Sequence, residues 1–380
     1  MDDKPHSLSI LHISTPSTFY GGENQAWLLM QGLRRRGHAC HLAAPHGSPL
    51  LRRAQDDGIS AIPLRGNSRS FANLRRVRKW LLSNHVDVIH AHDAHAVDIM
   101  GVVGLLKSIK RVATRRCDYP LRSPMKYRHV CHRIISISQY VTQSLVASGF
   151  PSSRISEVFS GVVPERTVSG NRERGRRSVG VSDAEPLVLQ IGSLLSSKGH
   201  QDSIEAIRKV VPRLPDVRVC FAGEGHLRKP LEDTVRHAGL QDAISFLGYR
   251  NDIADLLAAC DLFIMPSRVE PLGTSVIDAM FAAKPIVCSN AGGIPELVGP
   301  WGEQPPVARI VRAGDTDALA SEIVSILTNP TDAAKLGNAA RLRAEQRFHA
   351  DHMVEGTLAV YLALLSKSLV VQEGPRRQIG

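Results

Sequence analysis

Short apolar runs alternate with amphipathic stretches along most of the chain. SLSILHI (7–13), ACHLAA (39–44), VDVIHAH (86–92) and RIISIS (133–138) are dense in Ile, Leu and Val. A second set follows: PLVLQIG (186–192), VRVCFAG (217–223), DLFIMP (261–266) and KPIVCSN (284–290). Continuous apolar runs of this length predict parallel strands covered on both faces. The segments between them carry helical spacing. ENQAWLLMQGLRRRG, for example, has arginines in its last turn and Gly37 as a stop. Strand–helix alternation predicts an α/β protein with doubly wound parallel sheets.

One stretch breaks the series. VPERTVSGNRERGRRSVGVSDAEP is polar, charged and without a period, and reads as a linker. The expected organisation is a first domain over 1–165, a linker over 166–185 and a second domain over 186–348. Residues 349–380 are expected to form a helix that packs back toward the first domain, with a tail. Two Rossmann-like domains facing each other make a cleft, and ligands of open α/β sheets lie beyond the carboxyl ends of the strands.

The strand ends carry the candidate chemistry. RVEPLGTSVIDAM (268–280) puts Glu270 on a loop, then Gly273, Thr274 and Ser275 at a helix start, then Asp278 one turn inside. The first amides of a helix lack internal partners and face the positive end of its dipole, so a phosphate fits there. A structural alternative stands beside this reading: Ser275-x-x-Asp278 has the form of a capping box, with no ligand implied. Gly21-Gly22 precedes another helix, and Lys198-Gly199 follows PLVLQIG without the order of a P-loop. HAHDAHAVD places His90, His92, Asp93 and His95 in a near miss to a metallo-hydrolase pattern, with the acid one place early. His90 fits a core histidine and His92 a strand-end residue facing the cleft.

Composition narrows the class. The 380 residues are 43% hydrophobic and 22% charged, as in a globular protein. Six cysteines at irregular spacings, several inside apolar runs, predict free buried thiols and a reducing compartment. The opening MDDKPHSLSILHI has acids first and no long apolar core, so a cytoplasmic protein is expected. Charge is one-sided: residues 1–170 hold 23 Lys and Arg against 11 Asp and Glu, and residues 171–380 hold 24 against 25. That imbalance predicts an anionic partner for the first half. Aromatic content of 5% and the lack of a nucleic-acid module argue against nucleic acid.

Several of these pieces together resemble a known family. PSRVEPLGTSVIDAMFAAKPIVCSNAGGIPELV is similar to the C-terminal segment of the family-4 retaining glycosyltransferases of the GT-B fold, where a Glu-x7-Glu pair flanks a glycine-opened helix. GGENQAWLLMQGLRRRGHACHLA, DVIHAHD, IISISQYVTQSLVASGFPSSRISEVFSGV and IGSLLSSKGHQDSIEAI resemble further segments of that family, in the same order. The resemblance implies that Glu270 binds hydroxyls of a donor sugar and Asp278 the nucleotide ribose. Gly273, Thr274 and Ser275 would hold a diphosphate by backbone amides, and Lys198 would neutralise it as it leaves. Gly21 and Gly22 would close on the diphosphate, His92 would contact the sugar, and the turn at Tyr249 and Arg250 would meet the base. Two positions depart from the family: Asp278 replaces a Glu, and Ser193 stands where an Arg is usual.

The expected activity is transfer of a hexose from a nucleotide diphosphate sugar, UDP before GDP, with retention and no required cofactor. No DxD-like acidic cluster follows any strand, so no metal site is expected. The acceptor is expected to be a glycan or lipid-linked and anionic, as in lipopolysaccharide or other envelope polysaccharide synthesis. It would dock on the basic first domain near Arg115, Arg116, Arg122 and Lys126, at the cytoplasmic face of an inner membrane. FANLRRVRKWLLSNH has two readings: a helix lying on an anionic membrane with Trp80 and Leu81 on one face, or an ordinary helix covering the sheet. Alternatives to the transferase are a sugar-nucleotide epimerase, a non-catalytic sugar-nucleotide-binding protein and, remotely, a zinc hydrolase.

Overall fold

The computed structural model describes residues 7–104, 109–121 and 123–372. It contains two compact units. The first takes the described residues up to Gly161 and the helix Ala350–Gln372; the second is Val162–His349.

The first unit is built on a seven-stranded sheet. Its strands are β1 (Ser9–Ile13), β2 (Ala39–Pro45), β3 (Ser60–Leu64), β4 (Val88–Ala91), β5 (Lys110–Arg115), β6 (Arg133–Ser136) and β7 (Ile155–Glu157). Their order is β3-β2-β1-β4-β5-β6-β7 and every pairing is parallel. The second unit has a six-stranded sheet of β8 (Leu187–Ile191), β9 (Arg218–Ala222), β10 (Ile244–Gly248), β11 (Leu262–Met265), β12 (Ile286–Ser289) and β13 (Arg309–Val311). Its order is β10-β9-β8-β11-β12-β13, again all parallel. Both sheets are doubly wound, as the alternation predicts. The order reverses between β1 and β4 in one sheet and between β8 and β11 in the other, and such switch points open a crevice at the strands' carboxyl ends.

The apolar runs are buried because helices cover both faces. Val188, Val219, Phe221, Ile264 and Val287 pack with Ile204, Ile207 and Ile323 of flanking helices. Most of these strands are two or three residues shorter than the runs that predict them, whereas β2 runs one residue past ACHLAA.

The stretch 166–185 is not a linker. It folds as the helices Glu165–Val168 and Arg172–Val179, inside the second unit. Asn171 caps the second of these by accepting from Arg174 N at 2.7 Å. Gly170 and Gly175 let it approach the helix Ile253–Ala259 so closely that an added Cβ would meet the Ala254 and Asp255 carbonyl oxygens at 1.9 and 2.2 Å. The charges that suggest solvation are paired: Arg174 with Asp255 at 2.5 Å and Arg172 with Asp261 at 2.8 Å. Arg176 is buried and donates to the carbonyl oxygens of Ala259 and Ser182.

In the helix Ala350–Gln372, Tyr361 is fully buried and its hydroxyl lies 2.5 Å from His90 Nδ1 of β4. Gly32 in the helix Gly21–Arg35 makes room for Val354. Among the described residues, no helix is long and apolar enough to cross a membrane. All six cysteines are free, and five of them are buried.

Candidate functional site

The switch point of the second sheet collects the predicted residues. β8 ends at Ile191, and its loop runs through Ser193 to a short 3-10 turn, Ser196–Lys198. β11 ends at Met265, and its loop runs through Glu270 to the helix Thr274–Phe281. Backbone and side-chain bonds tie the two loops together. Arg268 N and Val269 N both donate to Ser197 O, at 2.8 and 3.2 Å. The Arg268 guanidinium grips the buried Asp202 carboxylate at 2.7 and 2.8 Å. Buried Gln190 donates to Lys198 O at 2.9 Å and is itself held by Ser203 at 2.6 Å. Gly199, at φ +69, passes so close to Pro266 that a Cβ would lie 2.0 Å from its carbonyl oxygen.

Lys198 and Glu270 therefore meet. Lys198 Nζ lies 2.6 Å from Glu270 Oε2, and Ser267 Oγ is 3.3 Å from the same oxygen. Glu270 is buried, with its backbone pinned from below. Gly293 N donates to Glu270 O at 2.9 Å, and a Cβ on Gly292, at φ +56, would sit 2.0 Å from that oxygen. A partly buried, charge-assisted pair of this length holds both side chains in one geometry.

Gly273 is the N-cap of the helix Thr274–Phe281, at φ +101, and offers no side chain to the first amides. This overturns the capping-box alternative. Ser275 lies inside the first turn and Asp278 one turn further, and neither caps the helix. The amides of Thr274 and Ser275 come before the point where intrahelical bonding begins, which suits an anion.

Asp278 is buried, and its Oδ1 has no hydrogen-bond partner. Burial pushes its carboxyl above the usual carboxylate range, opposed by the nearby Arg166 guanidinium. Arg166 approaches Oδ2 at 3.6 Å, an ion pair too long for a hydrogen bond. Sequence reading missed Arg166 because it falls in the supposed linker. Ser193 is exposed in the β8 loop. Tyr249 is 59% exposed, and its amide faces Glu224 Oε1 at 3.3 Å. The Arg250 side chain is occupied by Asp252 and by Ser178 Oγ, the latter at 2.8 Å, so a ligand at that turn meets backbone rather than guanidinium.

The first unit has its own cluster at its switch point. His12 of β1 is in register with His90 of β4, and His92 lies two residues on, so the three rings share one face. Arg116 NH1 is 3.5 Å from His92 Nδ1, and His92 Nε2 is 3.0 Å from His12 Nδ1. Because a guanidinium only donates, His92 accepts at Nδ1 and donates from Nε2 to His12. The remaining His12 proton falls on Nε2, which is buried without a partner. Desolvation lowers all three imidazoles, His12 to about 3. It also lowers Arg116 to about 10, against the pull of Glu23.

His92, expected at the sugar, thus has both ring nitrogens engaged within this unit. His12 was missed, since nothing in SLSILHI singles it out. The H-x-H-x-D-H pattern does not converge. Asp93 binds Thr15 N at 2.7 Å and Thr15 Oγ1 at 2.6 Å, accepts from Ala96 N at 3.0 Å, and stays out of the cluster. His95 is exposed. Three nitrogens could surround a cation, but His12 and His92 bond each other, both His90 nitrogens are taken by Tyr361 and Thr114, and a guanidinium lies alongside, which disfavours one.

Comparison with known proteins gives the family and the fold. The family described as glycosyl transferases group 1 matches residues 171–343, and glycosyltransferase family 4 matches residues 19–166. Glycogen synthase of Mycobacterium tuberculosis is 30% identical over 292 residues, 73% of this chain and 69% of its own length. The chain belongs to the group 1 glycosyltransferases.

An uncharacterized glycosyltransferase of Methanocaldococcus jannaschii is 26% identical over 72% of this chain and 75% of its own length. Other relatives of this glycosyltransferase are matched over smaller shares, 55% of the length of an N-acetyl-alpha-D-glucosaminyl L-malate synthase from Bacillus anthracis. Among solved structures, HepE of Anabaena in complex with UDP and glucose superposes with a TM-score of 0.82 at 20% identity, over 94% of this chain and 99% of that one. The lipopolysaccharide outer core galactosyltransferase WaaB superposes with a TM-score of 0.68 at 14% identity, over 95% and 100%. These likenesses establish the GT-B fold.

Among the described residues, the three expected acceptor positions of the glycosyltransferase have separate surroundings. Lys126 is paired to Asp98 at 2.7 Å, and Arg115 donates to the Tyr119 carbonyl. Arg116 belongs to the histidine cluster, with its Nε buried and unpartnered. Arg122 lies outside the described residues. Gly21 and Gly22 are the first two residues of the helix Gly21–Arg35 rather than a loop before it. Arg116 Cδ lies 4.0 Å from where a Gly22 Cβ would be.

Proposed function

We propose that the second unit binds the diphosphate and sugar of a nucleotide sugar at Lys198, Glu270 and the Thr274 helix, and that this chain transfers the hexose with retention. One observation carries the reading: Lys198 Nζ and Glu270 Oε2, 2.6 Å apart, stand beside a glycine-capped helix start at the β8–β11 switch point. In transfer, the bond from the anomeric carbon to the phosphate oxygen breaks, and the diphosphate leaves with the electron pair. The acceptor hydroxyl forms the new bond to that carbon and passes its proton to the departing phosphate oxygen. Charge builds on the leaving diphosphate, where fixed amides and an ammonium stabilise it without reorganising. The reading needs no metal for this step, because Lys198 and the amides supply the positive charge. Glu270 orients the sugar through its hydroxyls, and Asp278 takes the ribose.

A UDP-sugar is the preferred donor over a GDP-sugar, a reading supported by the UDP complex of HepE. The acceptor is an anionic, lipid-linked glycan in lipopolysaccharide or related envelope synthesis, reached at the cytoplasmic face of the inner membrane. Support for it comes from the excess of basic residues in the first 170 positions and the likeness to WaaB. An assay of UDP-sugars with lipid-linked acceptors tests the reading. Glu270→Ala and Lys198→Ala should each lower turnover about 10²–10³-fold with the fold intact. Full activity in both would remove the assignment, and release of free sugar and UDP without any acceptor would point to an epimerase instead.

A further inference from the structure

The helix Phe71–Ser83 presents two unlike faces. Asn73, Val77 and Leu81 are buried against the first unit. Trp80 turns the same way, edge-on to His41 at 4.7 Å. Arg76 also turns in, donating to Pro63 O and to Asn73 Oδ1. Trp80 and Leu81, the residues that suggested a membrane face in the sequence, are therefore sheet-facing.

The opposite face is the informative one. Phe71 is 80% exposed and Leu82 64% exposed. Arg75, Arg78 and Lys79 are exposed between them, and among the described residues none has an acidic partner. At 3.6 residues per turn these five side chains fall within about 100° of one another, and Phe71 and Leu82 stand about 16 Å apart along the axis. Two large apolar groups in water at the ends of a row of three free cations suit a surface that is both anionic and apolar beneath. A bilayer interface has that layering, since rings and Leu enter the acyl boundary while cations stay with the phosphates. A nucleic acid offers the phosphates without the apolar layer.

We propose that the outward face of the helix Phe71–Ser83 docks this chain on an anionic phospholipid bilayer, Phe71 and Leu82 inserting and Arg75, Arg78 and Lys79 contacting lipid phosphates. The proposal deepens the membrane-surface part of the functional reading and rests on atoms separate from the donor site.

The test is co-sedimentation of the full chain with phosphatidylcholine vesicles, with and without phosphatidylglycerol, at low and high salt. Binding should require phosphatidylglycerol and weaken with salt. Replacing all three cations (R75S, R78S, K79S) should lower the partition coefficient on the order of 100-fold, about fivefold per charge. The pair F71S and L82S should lower it at least about tenfold. Both variants should melt and bind UDP as the parent does, since none of the five residues lies in the donor site. Equal pelleting with phosphatidylcholine alone, or unchanged binding of the triple variant, overturns the proposal. So does a lipid-free dimer that F71S and L82S dissolve, which would give the face to a second copy. Vesicle binding that persists while no nucleotide binds would instead overturn the donor reading and leave this one standing.

Discussion

At the scale of single residues, the account turns on two carboxylates with opposite surroundings. Glu270 has an ammonium at 2.6 Å and a hydroxyl at 3.3 Å. Asp278 has one oxygen without a partner and a guanidinium only at 3.6 Å. Burial raises the Asp278 carboxyl in the folded state, so the native chain holds that proton more tightly than the unfolded one. Its stabilising effect is present below the ordinary carboxylate pKa and is lost as pH rises through the raised value. Asp278→Asn should therefore stabilise the second unit at neutral pH by about 1–3 kcal/mol, with the gain fading in acid, while weakening nucleotide binding. Thermal unfolding at two pH values checks this, and equal gain at both would contradict it. Asp278 is one methylene shorter than the Glu that the family resemblance implies, and Arg166 lies 3.6 Å from its Oδ2. Arg166→Ala should weaken UDP binding about tenfold, the size of one lost charge-assisted contact, and 3′-deoxyribose analogues should feel the change less.

At the scale of elements, the loops after β8 and β11 are positioned by close-packed glycines, by backbone bonds to Ser197 and by the Arg268–Asp202 ion pair. Gly292→Ala forces a Cβ to 2.0 Å from Glu270 O at a positive φ, and should cost about 2 kcal/mol or more in urea unfolding, with loss of turnover. A wild-type unfolding curve would show that the loop can yield. Much of this was legible in the sequence. PLVLQIG and DLFIMP are continuous apolar runs, so their strands and the loops that follow them could be placed, and with them Lys198 and Glu270. The stretch 166–185 was not legible, because its charges signal solvation unless the partners are known. Asp255 and Asp261 lie some eighty residues away in sequence, and only tertiary structure brings them to Arg174 and Arg172. Short edge strands such as β3 and β13 were missed for a related reason: SAIPL and RIV are too brief for period to speak. The cap of the Thr274 helix was open between two readings, and the positive φ of Gly273 decided it.

At the scale of the whole molecule, the chain divides into two units that should respond differently to acid and to truncation. His12, His90 and His92 are buried neutral in the first unit, their pKa values lowered from the ordinary 6.5, His12 to about 3. The unfolded chain binds those protons first, so the stability they contribute is present above about pH 6.5 and is lost as pH falls toward 3. Calorimetry should show the first unit melting progressively earlier over that window, with the second unit less affected. Ending the chain at His349 would remove Tyr361 from His90 and Val354 from Gly32, and should unfold the first unit while the second keeps its transition.

The most direct test of the central claim is a calorimetric titration of UDP into the parent chain, Lys198→Ala and Glu270→Ala. The account predicts that Lys198→Ala raises the UDP Kd at least about tenfold, the loss of one charge-assisted contact to the diphosphate. Glu270→Ala should leave UDP binding in place but remove the added affinity of UDP-sugar over UDP. Equal UDP binding by the parent and Lys198→Ala, or no binding of any nucleotide by the parent, would contradict it.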